Sequence, residues 1–340
     1  MKLATPKNGG SDRAPLVVAR GLSTARRGAA ASALMLCLGL AWALAASPGW
    51  AQTGKTPLTI SYTATPEFGA VFIAKERGLF DKHGLDVTLQ LIPVSPNVPG
   101  AVMSGSVQVG GTTPPVLLQA VDGGLDLVAI AGGGVYDNSS RGLGMVARSG
   151  VSISTPQDLV GKKVGVPGFG AAIHLLVKRW LMDKGVDPKK VTFIEIGIPQ
   201  MPDVLKGGSV DAVATAEPFV GRIVQAQIGS AVPAFANELP NGFSTVLYIS
   251  TRQWATSHGA AVQAFRAATV EAIVWANANK TQAYADIGKY FNVPPPVLQA
   301  TPWPNWVAGL NDQHLRPWVD LMNNQSLLKK QPVTSSLILK

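Results

Sequence analysis

Apolar and polar positions along this chain alternate between two periods. Residues 58–62, Leu-Thr-Ile-Ser-Tyr, repeat at period two and predict a strand. Residues 68–77 read as a helix stopped by Gly78, and residues 85–92 return to an extended alternation, giving a β-α-β start. A short helical stretch at 99–104, a strand at 107–110, a helix at 114–121 and an apolar strand at 127–131 follow. Strands that alternate with helices predict a mainly parallel sheet with both faces covered.

The pattern restarts after Arg148. Thr155 and Pro156 open a short helix, residues 163–166 form a strand, and Ile173, Leu176, Val177, Trp180 and Leu181 fall on one helix face before Gly185. A strand at 191–196, a helix at 201–206, a strand at 210–214 and a helix at 218–227 complete a second unit. Beyond Asn241 an extended stretch at 244–250 leads into helices near 259–278, 281–291 and 312–323, a tail expected to pack on the first unit. One echo links the units: Gly105-Ser106-Val107 runs to Pro114, and Gly208-Ser209-Val210 runs to Pro218. Each reads as a short buried strand feeding a helix whose first turn holds a proline, where a missing N–H is harmless. The alternative is chance likeness between two short Gly/Val strands. In open α/β sheets ligands sit beyond the carboxyl ends of the strands, which makes Gly111-Thr112-Thr113 and Thr215-Ala216-Glu217 candidate cleft walls.

Composition narrows the class. With 340 residues, 46% hydrophobic and 14% charged, the chain is globular and large enough to bury a substantial core. The formal charge of +9 points to nucleic acid only at first sight, because six of the 29 basic residues and one of the 20 acidic residues precede Gln52. The remainder carries 23 basic against 19 acidic residues, and no basic stripe interleaved with aromatics, so nucleic-acid binding is unsupported. Lys2, Lys7, Arg13, Arg20, Arg26 and Arg27 precede an apolar run at 29–46 and the exit Pro48-Gly49-Trp50-Ala51. This predicts a signal peptide over residues 1–51, cleaved before Gln52 and routed through general secretion rather than the twin-arginine pathway; an uncleaved anchor is the alternative. Cys37 is the single cysteine and leaves with that segment, so no disulfide or thiolate chemistry is expected in the mature chain. His83, His174, His258 and His314 are too scattered for a helical metal-ligand pair, and neither a metal nor a cofactor is expected.

Three segments carry a family resemblance: Ala74-Lys75-Glu76-Arg77-Gly78-Leu79-Phe80-Asp81-Lys82-His83-Gly84-Leu85-Asp86-Val87, Asp158-Leu159-Val160-Gly161-Lys162-Lys163-Val164-Gly165-Val166, and Gly208-Ser209-Val210-Asp211-Ala212 with Glu217-Pro218. In this order the chain resembles the periplasmic substrate-binding proteins of ABC importers, in the nitrate, sulfonate and taurine class that also includes binders of thiamine-pyrimidine precursors. The resemblance implies an α/β, two-lobe periplasmic binding protein fold of type II, with parallel-rich sheets flanked by helices and a ligand cleft between the lobes. It implies a discontinuous first lobe at 52–145 and 246–340 and a second lobe at 146–245, with crossings near 142–148 and 243–250.

Candidate ligand-binding residues follow from the strand ends and from this resemblance. Thr112 and Thr113 precede Pro114, so Thr113 is an expected N-cap at a helix start that favours an anion, or an ordinary cap. Phe169, Gly170 and Ala171 open the second unit's amphipathic helix, where relatives commonly carry Gly-Ser-Ser; the hydroxyls missing here weigh against nitrate or a simple sulfonate. Phe169 is either a stacking side chain or loop packing, and His174 is expected to be a packing residue. Thr63, Thr65, Glu67 and Phe68 follow the first strand, with Glu67 either a ligand contact or a complement to the helix dipole. Gly133 and Tyr136 follow another strand end, and Glu217 either receives a cationic group or braces the hinge. Lys162-Lys163 and Lys189-Lys190 are expected to be solvated, and Trp303 and Trp306 to cover the core.

These readings converge on an extracytoplasmic, non-enzymatic solute receptor located in the periplasm. Its expected ligand is a small organic molecule with an anionic or polar end and an apolar or aromatic body. The expected partners are an ABC permease and its ATPase, with membrane contact through the permease alone, since the sequence has no Walker motif of its own. The alternatives are a ligand-sensing subunit of a signalling system and an enzyme like the pyrimidine-precursor synthases.

Overall fold

The computed structural model describes residues 54–340 other than 138 and 140, so the expected signal segment lies outside the described residues. The first alternating run forms β1 (Thr56–Tyr62), followed by a 3-10 turn at Pro66–Phe68, α1 (Gly69–Glu76), α2 (Leu79–Lys82) and β2 (Leu85–Leu91). Gly78 sits at φ 66°, the left-handed conformation that lets the chain turn from α1 into α2. Then come α3 (Val98–Met103), β3 (Val109–Thr112), α4 (Pro114–Asp122), β4 (Leu127–Gly132) and β5 (Leu143–Arg148).

The second alternation supplies β6 (Lys163–Val166), α5 (Ala172–Asp183), β7 (Thr192–Glu195), α6 (Met201–Lys206), β8 (Ala212–Ala216), α7 (Phe219–Gln225), β9 (Gly229–Ala231) and α8 (Pro233–Asn237). The chain continues through β10 (Leu247–Thr251), α9 (Arg252–Ser257), α10 (Gly259–Ala278), α11 (Lys280–Gly288), α12 (Pro295–Gln299) and α13 (Asp312–Asn324). Two strands begin later than the sequence pattern suggests, β3 at Val109 and β8 at Ala212, because the left-handed turns at Gly105 and Gly208 take up the residues before them. β9, α8, α9 and α12 have no counterpart in the sequence reading.

Two five-stranded sheets result, in the orders β2-β1-β3-β10-β4 and β7-β6-β8-β5-β9. Each has the same plan. β1 pairs in parallel with β2 and β3, and β6 in parallel with β7 and β8. The next strand in each sheet runs antiparallel and is exchanged: β10 lies between β3 and β4, and β5 between β8 and β9. The echoed Gly-to-Pro segments are thus equivalent strands, β3 and β8, each beside an exchanged antiparallel neighbour.

The tail helices cover the first sheet's helices. α10 lies against α1 and α2, and α11 against α1. Phe72 of α1 stacks on Tyr290 at 4.2 Å, and Phe80 on Phe265 at 6.1 Å. Arg77 bonds the buried Asp286 at 2.7 Å and lies over the Trp275 ring. α13 packs on both α4 and α5, touching the helical layers of both sheets. No helix among the described residues is long and apolar enough to cross a membrane.

Candidate functional site

The carboxyl ends of the parallel strands in both sheets meet across one narrow void of about 40 Å³. Thr63 and Thr65 follow β1, Pro93 and Ser95 follow β2, and Thr113 follows β3. Pro167 follows β6, Ile198 follows β7 and Ala216 ends β8, while Ala171 and Ala172 start α5. The exchanged segments add Leu143 at the start of β5 and Thr245 and Val246 just before β10. This is where an α/β sheet leaves backbone and side chains free to meet a ligand. The wall is apolar on the second sheet's side and carries hydroxyls on the first.

Several polar atoms of this wall have no hydrogen-bond partner: Thr65 Oγ1, Thr113 Oγ1, Thr245 Oγ1 and Glu67 Oε2. Thr113 occupies the N-cap position of α4 with an extended backbone, yet its hydroxyl does not cap the helix. The helix is held instead by the Thr113 carbonyl, which accepts from the Val116 N–H at 3.1 Å. The hydroxyl that the sequence assigns to capping is therefore left for the void.

Glu67 lies in the 3-10 turn after β1, at the junction of this void with a smaller one lined by Tyr136, Gly142, Glu217, Thr301 and Asn305. Burial holds its carboxyl up to about 7, against the lowering influence of its own backbone N–H and the neighbouring Thr65; the Glu217 charge adds to the rise. Two glycines make its seat. A Cβ on Gly142 would stand 2.5 Å from Glu67 Oε1, and one on Gly134 would stand 2.7 Å from Glu67 Cγ. Glu217 is also raised by burial, but its Oε2 accepts the Gly221 N–H at 3.0 Å. Among the described residues no lysine, arginine or histidine lines either void.

On the facing side, the loop before α5 is occupied with its own bonds. The Phe169 N–H donates to Glu195 Oε2 and the Gly170 N–H to His174 Nδ1, both at 2.9 Å. His174 packs edge-on against Phe193 at 4.7 Å, and burial holds its imidazole down to about 4, so it stays neutral and braces the loop. The Gly170 carbonyl accepts from Gln119 Nε2 of α4 at 2.8 Å, a bond that crosses the cleft.

Of the residues singled out by sequence, Thr63, Thr65, Glu67, Thr113 and Ala171 line the main void, and Glu67, Tyr136 and Glu217 line the smaller one. The others lie elsewhere. Phe68 is in the core edge-on to Tyr248, and Thr112 is buried with its hydroxyl donating to the Ser95 carbonyl. Gly133 packs on Val246, Phe169 is half exposed, and Gly170 is engaged with Gln119 and His174. Tyr136 stacks on Phe243 and donates its hydroxyl to the Ala236 carbonyl. Ser95, Leu143, Pro167, Ile198, Thr245 and Val246 were missed; the strand-end rule that found Thr113 applies equally to Ser95, Pro167 and Ile198. A separate depression between α5 and α13, lined by Leu176, Arg179, Phe243 and Trp318, lies away from the strand ends.

Two sheets with exchanged antiparallel strands, and a void at their facing strand ends, define the fold class of the periplasmic binding proteins of ABC importers. Residues 65–283 match the family described as NMT1/THI5 like, and the chain belongs to that family. The fold is similar to that of the alkanesulfonate-binding protein SsuA from Xanthomonas axonopodis pv. citri, with a TM-score of 0.71 and 21% identity over 84% of this chain and 99% of that one. It is similar also to the periplasmic nitrate-binding protein NrtA from Synechocystis, with a TM-score of 0.69 and 16% identity over 83% of this chain and 84% of that one. In sequence, a candidate binding protein of Brucella abortus is 26% identical over 75% of this chain and 78% of its own length.

Proposed function

We propose that this protein is an extracytoplasmic solute receptor that captures a small organic molecule between two lobes and delivers it, unaltered, to an ABC permease driven by a separate ATPase. The observation that carries this reading is the void walled at once by strand ends of both sheets. A ligand seated there touches both sides, which gives it the higher affinity for the closed form that domain closure requires. The first lobe comprises residues 52–145 and 246–340 and the second 146–245, the exchanged strands β5 and β10 lying at the hinge. The apolar stretch Pro167, Ala171, Ala172, Ile173 and Ile198 suits the body of an organic molecule better than a fully hydrated oxyanion. Family and fold support the importer partnership, and residues 1–51 provide export to the periplasm.

A micromolar ligand corresponds to about 8 kcal/mol of binding free energy, within the range of a small molecule enclosed on two sides. Small-angle scattering of the purified protein, stripped of its copurified small molecule and then reloaded with it, is expected to show a smaller radius of gyration in the loaded state. Identical curves, or return of the molecule in chemically altered form at catalytic rates, would refute the receptor reading.

A further inference from the structure

We infer that the cleft reads a basic, proton-carrying nitrogen at one end of its ligand, and that Glu67 is the residue that reads it. This rests on the receptor reading above and adds the ligand's chemical class.

Glu67 has the form of a built subsite. It is only 9% exposed, its Oε2 has no partner, and Gly134 and Gly142 hold open the space its side chain occupies. The unpartnered hydroxyls of Thr65, Thr113 and Thr245 line the same void. A hydroxyl can donate or accept, so these groups suit an anion and a cation alike. Charge decides between them. The charged side chains on the walls are two acids, Glu67 and Glu217, and no lysine, arginine or histidine is among the described residues that line the voids. A carboxylate or sulfonate would enter against that field, with no cationic side chain in the lining to offset it. A protonated amine or amidine would meet Glu67 Oε2, which has no bonded donor although the Glu67 N–H and Thr65 lie beside the carboxyl, and Glu217, already bonded to the Gly221 N–H, adds to the attraction from behind. Burial holds Glu67 up to about 7, so a cation that pairs with it also relieves the cost of ionising it. The anionic end suggested by the helix start at Thr113 is thereby replaced by a cationic one near Glu67.

The test uses shape-matched probes of opposite charge, benzamidine and 2-aminopyridine against benzoate and benzenesulfonate, titrated calorimetrically into purified protein freed of its copurified molecule. The nitrogen bases are expected to bind about tenfold or more tightly than the acids, and Glu67→Gln to weaken them by on the order of tenfold while leaving the melting temperature at or above that of the wild type. Tighter binding of benzoate or benzenesulfonate, or an order of affinities that Glu67→Gln does not change, would overturn the assignment and leave the receptor reading standing. Failure of both classes to bind folded protein would overturn the two together.

Discussion

A buried carboxyl next to unpartnered hydroxyls is costly unless something comes to meet it, and that cost has a measurable signature at Glu67. In the unfolded chain this group releases its proton near 4.5, whereas in the folded protein it does so at about 7. The folded state therefore binds more protons across that window, and the group's contribution to stability is present below it and is lost as pH rises through it. Glu67→Gln removes the dependence. In urea unfolding at pH 5 and pH 8, the variant is expected to gain on the wild type by up to roughly 3 kcal/mol at the higher pH. His174 works in the opposite sense, held down to about 4 from 6.5, so that stability is lost as pH falls through that interval. It is present in both proteins and cancels in the comparison. A difference between the two that does not change with pH would contradict the burial of an uncompensated Glu67.

At the scale of elements, the tail helices are fixed to the first sheet's helices by a few specific groups. Asp286 of α11 is 4% exposed and receives Arg77 at 2.7 Å, while Glu76 accepts from the Tyr290 hydroxyl at 2.9 Å and also from Lys289. Removing the guanidinium leaves the buried carboxylate only Lys289 Nζ, 3.6 Å away, so Arg77→Met is expected to destabilise the protein by about 3 kcal/mol, read as a lower urea midpoint; an unchanged midpoint would show that Lys289 alone satisfies Asp286. The elements that were legible in the sequence are those with a strong period. β1, β6, α5, α6 and α10 stand where alternation or helical spacing places them, because each buries one face or both. The misplaced starts of β3 and β8 come from glycine turns whose left-handed backbone leaves no hydrophobic signature. The site divides in the same way. Thr63, Thr65, Glu67 and Thr113 were reachable because strand ends are local features, whereas Leu143, Thr245 and Val246 reach the void through strand exchange, which is set by pairing far along the chain. The capping role expected of Thr113 failed for a local reason, since the backbone alone closes the first turn of α4.

For the whole molecule, the exchange of β5 and β10 puts each in the sheet to which the neighbouring stretch of chain does not belong, and in the proposed receptor these crossings are the hinge. Across the cleft, Gln119 bonds the Gly170 carbonyl and Pro96 lies close to Gly168, while away from the strand ends Gln325 Nε2, just past α13, bonds the Leu175 carbonyl of α5 at 3.0 Å. These contacts hold the facing strand ends together over a void of about 40 Å³ whose Thr65, Thr113, Thr245 and Glu67 atoms lack partners, so the proposed guest enters only as the two faces part. The most direct measurement is native mass spectrometry of the protein purified from the envelope of its own organism. The expected result is a mass excess of one small, nitrogen-bearing organic molecule per chain, held without a covalent bond, released intact on unfolding and present at lower occupancy in Glu67→Gln. Protein that carries no such molecule and takes none up from an extract of that envelope, although folded, would contradict it.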